Sequence, residues 1–315
     1  MIAILLSIAP IFLLIVLGHG LRRGGIPSIE FWNLNDKLVY WVLFPSLLFY
    51  KTSTIALSGD LVGDYAVVIL GGFAGAVGFS LVSTLVFKLP GPAATSVLQG
   101  AARHNTFIAL AAAERLFGAE GLALAALATA LLIPVTNIVV VSLMVAMTRS
   151  PASDGSRQSG LVKAIARDLA RNPLLVSVFA GVAVNLTGIG TIPVLHDVTA
   201  ILGQAALPVV LLCVGANIRV REMTASVGPA VLSIIGKMVV FPAILVGLAL
   251  WMALPPTAAI VAGLFGAVPT AASGYTLARQ MGGDAPLMAT IITVQTALAF
   301  LTLPFTVWLL GRLVG

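Results

Sequence analysis

The sequence predicts an all-α polytopic membrane protein of ten transmembrane helices, built as two inverted five-helix repeats. Three observations carry that expectation: composition, an internal echo half a chain apart, and an uneven sharing of basic residues between loops. Of 315 residues, 59% are hydrophobic and only 9% charged, with a mean hydropathy of +1.10. A soluble domain carries roughly 25% charged residues, so this chain is solvated by lipid. The formal charge of +6 sits in short loops between apolar runs, which reads as membrane topology and not as a nucleic-acid partner.

The echo pairs Asn105, Thr106, Arg115, Gly118, Glu120 and Thr129 with Pro269, Thr270, Arg279, Gly282, Asp284 and Thr293, at a constant offset of 164 residues. Ile26-Pro27 and Ile192-Pro193 repeat at an offset of 166. Polar and helix-breaking residues thus recur at equivalent places in a very hydrophobic chain. An internal repeat in a membrane protein is the usual mark of a transporter, with its site where the copies meet.

A span needs roughly 20 apolar residues. In order, the candidates are 2–21, 34–55, 65–87, 95–117 and 121–147 in the first half, then 172–189, 198–218, 226–252, 257–281 and 285–310. The run 2–18 has no basic leader or small-residue cleavage site and is read as a first span, not a signal peptide. The polar stretch 149–159 (RSPASDGSRQS) divides the halves. The expected organisation is a first repeat over 1–147, a cytoplasmic linker over 148–171 and an inverted second repeat over 172–315. Cys213 stands alone in an apolar run, so no disulfide framework or cysteine metal site is expected.

Loop charges orient the spans. Arg22, Arg23, Lys37, Lys88, Arg149, Arg157, Lys163, Arg167, Arg171, Arg219, Arg221 and Arg279 fall on one side, and only Lys51, Arg115 and Arg312 on the other. Basic residues stay cytoplasmic, so both termini are expected on the non-cytoplasmic side of a multi-pass inner-membrane protein. Five spans per half is odd, which makes the second copy enter upside down.

The chemistry is expected in spans four and nine. Asn105 lies about 15 Å into its span and Pro269 about 18 Å into its own, at the helical rise; both are near the middle of a core roughly 30 Å thick. Pro269 removes a backbone donor and costs roughly 3 kcal/mol or more inside a helix. Gly263, Gly266 and Gly274 flank it, favouring a break that exposes N–H groups and their partial positive charge to an anion. Arg103-His104-Asn105-Thr106 is the densest polar cluster in any span. An arginine at the bilayer centre costs about 2.5–3.5 kcal/mol on insertion scales, so it faces a partner or a cavity, or it snorkels. Lys237 carries the same pair of readings. No Asp or Glu lies in the middle of a span, which suits an organic anion better than a cation.

Several motifs resemble the auxin efflux carrier family. They are Asn105-Thr106 ahead of Phe117-Gly118, the segment Val42-Leu43-Phe44-Pro45-Ser46-Leu47-Leu48-Phe49, Asn172-Pro173-Leu174-Leu175, Ala206-Leu207-Pro208 followed by Leu211-Leu212 and Gly215, and Val268-Pro269-Thr270-Ala271. The resemblance covers essentially the whole chain. It implies two inverted repeats in which a scaffold of spans 1, 2, 6 and 7 faces a transport domain whose broken helices 4 and 9 cross. Pro45 and Pro208 are read as scaffold kinks. The family usually carries glycine and proline just after the span-four asparagine, where this chain has Phe107 and Leu110.

The expectation is therefore a bacterial-type permease, a secondary transporter moving a small organic anion such as a carboxylate by alternating access. Asn105, Thr106, Pro269 and Thr270 would line the site, with Arg103, His104 and Lys237 beside them. Membrane lipid is the expected surrounding and a homodimer through the scaffold helices the possible assembly. No cofactor or metal is expected, and no Walker-type loop for ATP is present. The alternatives are a sodium-coupled organic-anion symporter of the bile-acid type and a membrane-embedded enzyme. For the enzyme, no H-E-x-x-H, G-x-G-D or paired aspartates occur in a span.

Overall fold

The structure, a computed structural model, describes residues 1–54, 59–148, 171–223 and 226–314. The polar stretch 149–159 lies outside the described residues. Helices account for nearly all of the rest, with no strand among the described residues. They are α1 (Ile2–Arg23), α2 (Ile29–Leu38), α3 (Phe44–Thr54), α4 (Gly59–Val86), α5 (Gly91–Ala102), α6 (Thr106–Thr148), α7 (Pro173–Leu186), α8 (Leu195–Ala216), α9 (Val227–Ile235), α10 (Phe241–Trp251), α11 (Pro256–Ala267), α12 (Ser273–Gln280) and α13 (Ala285–Leu313).

Local chemistry sets where these helices begin and bend. Asn172 caps α7 by accepting from the Leu174 and Leu175 N–H groups, and Pro173 occupies the first helical position, where no donor is needed. Asp284 caps α13 in the same way through Leu287. Two π-type turns, Val39–Leu43 and Gly236–Val240, run directly into Phe44-Pro45 and Phe241-Pro242. A proline ring clashes with the carbonyl four residues back; the wider turn moves that carbonyl aside and keeps the helix path continuous. Gly118 bends α6 with φ 60° and ψ −139°, and Gly282 turns the chain between α12 and α13 with φ 75°. Both conformations are open to glycine at little cost, which explains why this pair recurs in the sequence echo.

Six helical stretches are long and apolar enough to cross a membrane among the described residues, and α7 and α11 are apolar but shorter. One stretch, Gly91–Thr148, runs 58 residues. That is far beyond the roughly 20 needed for one crossing, and it contains both predicted spans four and five.

The described chain groups into two compact units. Unit 1 comprises Met1–Gly63, Thr106–Ala130 and Ala170–Asn217, which includes predicted spans 1, 2, 6 and 7. Within it α1 and α8 cross at contact distance. A Cβ on Gly18 would lie 2.0 Å from the Leu212 carbonyl oxygen, and one on Gly215 only 1.8 Å from that of Ile15. Unit 2 comprises Asp64–Asn105, Leu131–Leu169 and Ile218–Gly315. Its core packs α5 against α9 and α11 against α10 and α13.

Candidate functional site

Both predicted breaks occur, and their first halves match closely. α5 and α11 are each 12 residues long and are led in by Pro90 and Pro255. Each ends on an extended residue: Arg103 at φ −72°, ψ 149° and Val268 at φ −70°, ψ 150°. The Arg103 N–H reaches the Gln99 carbonyl and the Val268 N–H the Leu264 carbonyl, both at 2.9 Å. The offset between these matched positions is 165, against 164 from Thr106 and Thr270 onward, so the first copy is one residue longer around its break. Pro269 accounts for the second break, because the residue before a proline is pushed out of the α region. The first break has no proline.

The two breaks are joined. The Asn105 N–H donates to the Pro269 carbonyl at 2.8 Å. Thr270 is fully buried; its hydroxyl lies 2.8 Å from the Gly100 carbonyl and 2.8 Å from Gln295 Oε1. A hydroxyl has one hydrogen, so these two acceptors compete for it. The Thr270 N–H donates to Gln295 Oε1 at 2.9 Å in either case. Gln295, also fully buried on α13, donates from Nε2 to the Gly100 carbonyl at 2.9 Å. The orphan carbonyl at the end of α5 thus meets neutral donors from the second break and from α13. The sequence reading missed Gln295; its signal was a lone amide inside an otherwise apolar span.

Lys237 does the corresponding work at the end of α11. Its ammonium is fully buried and donates to the Phe265 carbonyl at 2.9 Å, at the position matching Gly100. It also sits 4.5 Å from the Phe241 ring centroid. A cation at a helix C-terminus is favourable to the macrodipole, and the bond shows that this lysine does not snorkel.

Arg103 and His104 stand between the two ends. Arg103 is 8% exposed. Its Nη2 donates to Asn137 Oδ1 at 3.3 Å and Ser273 Oγ at 3.4 Å, while Nη1 is buried without a partner. The His104 ring packs edge-on to Phe265 at 5.4 Å, and its Nδ1 has no partner either. Asn105 and Pro269 are buried in unit 2, and Thr106, half-buried, opens α6 and belongs to unit 1. Among the described residues the only ion pair is Arg219–Glu222, so neither Arg103 nor Lys237 is neutralised by a carboxylate. Buried side-chain polar atoms without partners are also unevenly spread. Eight of the nine found belong to unit 2, both Gln99 amide atoms and the Tyr65 and Thr293 hydroxyls included. Native interiors satisfy nearly all such groups through protein or water.

One serine–histidine pair exists in unit 1. Ser53 Oγ lies 3.0 Å from His196 Nε2. His196 Nδ1 lies 2.9 Å from the Ile192 nitrogen and 3.2 Å from the Ile192 oxygen. The ring is oriented by the Ile192 backbone and, among the described residues, by no carboxylate, so the pair lacks the third member of a catalytic triad.

A family model described as "Membrane transport protein" matches residues 3–307. A curated protein of Rhizobium meliloti (strain 1021), described as "Putative malonate transporter", is 27% identical over 312 residues, covering 96% of this chain and 94% of that protein.

Proposed function

The chain belongs to the auxin efflux carrier family of membrane transport proteins, and from that premise we propose a secondary transporter that moves a small organic anion, a carboxylate, across the cell membrane by alternating access. The observation that carries this reading is the joint between the two helix breaks, centred on the 2.8 Å bond from the Asn105 N–H to the Pro269 carbonyl. Irregular backbone at membrane depth is tolerated where it is buried in protein or lines a cavity, and carriers build their sites from such interrupted helices. In this proposal 1–147 and 172–315 are inverted five-span copies on either side of the linker 148–171, with both termini outside the inner membrane. Asn105, Thr106, Pro269 and Thr270 line the site near the midplane, with Arg103, His104 and Lys237 supplying its charge and shape.

The sign of the substrate follows from the missing acids. Two buried cations, Arg103 and Lys237, have no carboxylate partner among the described residues. Buried charge is costly unless paired, and a travelling carboxylate completes the pairing. A small dicarboxylate such as the malonate named for the Rhizobium relative supplies both charges. The sodium-coupled alternative is less well supported, because protein donors already occupy the carbonyl ends of both breaks. The enzyme alternative is less well supported, because the Ser53–His196 pair has a backbone partner and no carboxylate partner among the described residues.

Uptake of labelled malonate and other short dicarboxylates by proteoliposomes, with and without sodium, tests the proposal. Counterflow of at least one dicarboxylate in sodium-free buffer is the expected result. Uptake strictly requiring sodium would favour the bile-acid type, and no counterflow of any dicarboxylate would refute the anion carrier.

A further inference from the structure

The chain entering unit 2 makes one tight turn, Val220–Glu222, ahead of α9. The residues of that turn are exposed, yet two side chains there reach inward to Tyr275, which is 9% exposed in the first turn of α12. Arg219 lays its guanidinium over the Tyr275 ring, 4.4 Å from the centroid. Arg219 Nη1 donates to Glu222 Oε1 at 2.9 Å, and the Tyr275 hydroxyl donates to Glu222 Oε2. Arg279 stands one turn further along α12. The Tyr275 bond first, and then Arg219 and Arg279, hold the Glu222 carboxyl below the usual carboxylate value.

This is the donor set of a carboxylate receptor. A guanidinium fixed against an aromatic face presents its donors in a planar fork that suits a carboxylate, and the phenol takes the second oxygen. The same donors fit a free carboxylate as well as the tethered one. Nor does the pair neutralise a buried charge, since the Arg219 and Glu222 side chains are 37% and 41% exposed. Exposed ion pairs contribute little to folding, so displacing Glu222 costs the fold little.

The receptor is joined to the first break through α12. Ser273, exposed and two residues before Tyr275, meets Arg103 Nη2 at 3.4 Å. One turn of an eight-residue helix thus carries both the receptor and a contact to the buried Arg103.

We propose that Arg219, Tyr275 and Arg279 form a second carboxylate-binding site on unit 2, which Glu222 fills in this structure and yields to an arriving substrate carboxylate. The inference rests on the transport reading for its ligand, a short dicarboxylate, and adds an exposed station ahead of Arg103. A side chain on so short a tether competes at an effective concentration on the order of mM. The site is therefore weak while Glu222 holds it and tighter once Glu222 is removed. An ion pair that only fastened the turn to α12 would give no such gain.

The full chain in phosphatidylcholine nanodiscs is titrated with labelled malonate, in the parent and in an Arg103→Gln, Lys237→Gln background that leaves the exposed site alone. Weak saturable binding is expected in that background. Glu222→Gln is expected to strengthen it about tenfold, and Arg219→Gln or Tyr275→Phe added to Glu222→Gln to reverse the gain. The neutral diamide of malonate is expected to show no response to Glu222→Gln. If the background is not monodisperse, the same substitutions are read in the parent on the weaker malonate affinity. Unchanged or weaker malonate binding in Glu222→Gln overturns the second site and leaves the transport reading, which uptake tests, standing. A gain that survives both Arg219→Gln and Tyr275→Phe overturns the assignment of the donors, and an equal gain for the diamide overturns the carboxylate claim. Malonate binding that responds to Glu222 but is the same in the parent and the background supports the second site while removing Arg103 and Lys237 from the transport reading.

Discussion

The two helix breaks of unit 2 reach nearly the same backbone geometry by different routes. The second is written locally: Pro269 has no N–H, and Val268 before it is driven out of the helical region. At the first, nothing in 103–105 forbids a helix, yet the chain leaves α5 with dihedrals within 2° of those at Val268. What holds it open comes from elsewhere, from Pro269, Thr270 and Gln295. The helix ends differ as well. Neutral donors close the end of α5, whereas an ammonium closes the end of α11. A proline-made break is autonomous, and a break made by hydrogen bonds depends on its partner.

The largest expected effect follows from removing that partner. Gln295→Leu leaves the Thr270 N–H without its acceptor and removes one donor from the Gly100 carbonyl. Each buried group left unpaired costs roughly 1–3 kcal/mol, so destabilisation of about 2 kcal/mol or more is expected by thermal unfolding in detergent. Beyond the Thr270 N–H, whose own bond is removed, hydrogen exchange is expected to rise around 103–105 more than around 268–272. Equal loosening of both breaks would contradict the asymmetry.

The next effect tests the charged end. Lys237→Met removes an ammonium whose burial is not balanced by an acid, so the fold is expected to tolerate it. Anion affinity is expected to fall about tenfold or more through loss of the charge. Severe unfolding of a well-inserted Lys237→Met would make the lysine a structural cap and nothing else.

These cases mark what the sequence could reveal. The Pro269 break was legible because its cause lies within a few residues, whereas Gly118, Gly282, Asn172 and Asp284 stood out in the sequence without their roles as turns and caps being read. The polar cluster at 103–106 signalled that something happens in span four but not that the helix ends there, since its bonding partners Asn137, Pro269 and Ser273 all lie on distant segments of the chain. Lys237 left two readings open because a backbone carbonyl, which any residue carries, turned out to be its partner. Gln295 was overlooked because it lies outside the echo, two residues past Thr293. The long stretch Gly91–Thr148 is divided at 103–105 and again at Gly118, whose dihedrals are not helical and which falls between predicted spans four and five.

A smaller effect separates side chain from backbone at the joint. Asn105→Ala keeps the N–H that bonds Pro269, so both breaks are expected to persist with little change in melting temperature. Loss of its amide is expected to weaken dicarboxylate binding by roughly tenfold, read by titration calorimetry. Unchanged affinity would remove Asn105 from the binding site. The smallest effect is expected from Pro269→Ala. Restoring a donor relieves the local cause of the second break, but the bonds at Asn105 and Thr270 remain, so the break is expected to stay open with transport reduced only a few-fold. Abolished transport with a healed, continuous helix would mean that proline alone keeps the second break.

The most direct test of the central claim, that buried cations at these breaks receive a carboxylate, is charge selectivity in one double variant. Dissociation constants of the best-bound short dicarboxylate and of its neutral diamide would be measured for the parent and for Arg103→Gln, Lys237→Gln. The account predicts that dicarboxylate affinity falls at least tenfold while diamide binding stays within about twofold of the parent. Equal binding of the dicarboxylate by parent and variant, or equal loss for both ligands, would contradict it.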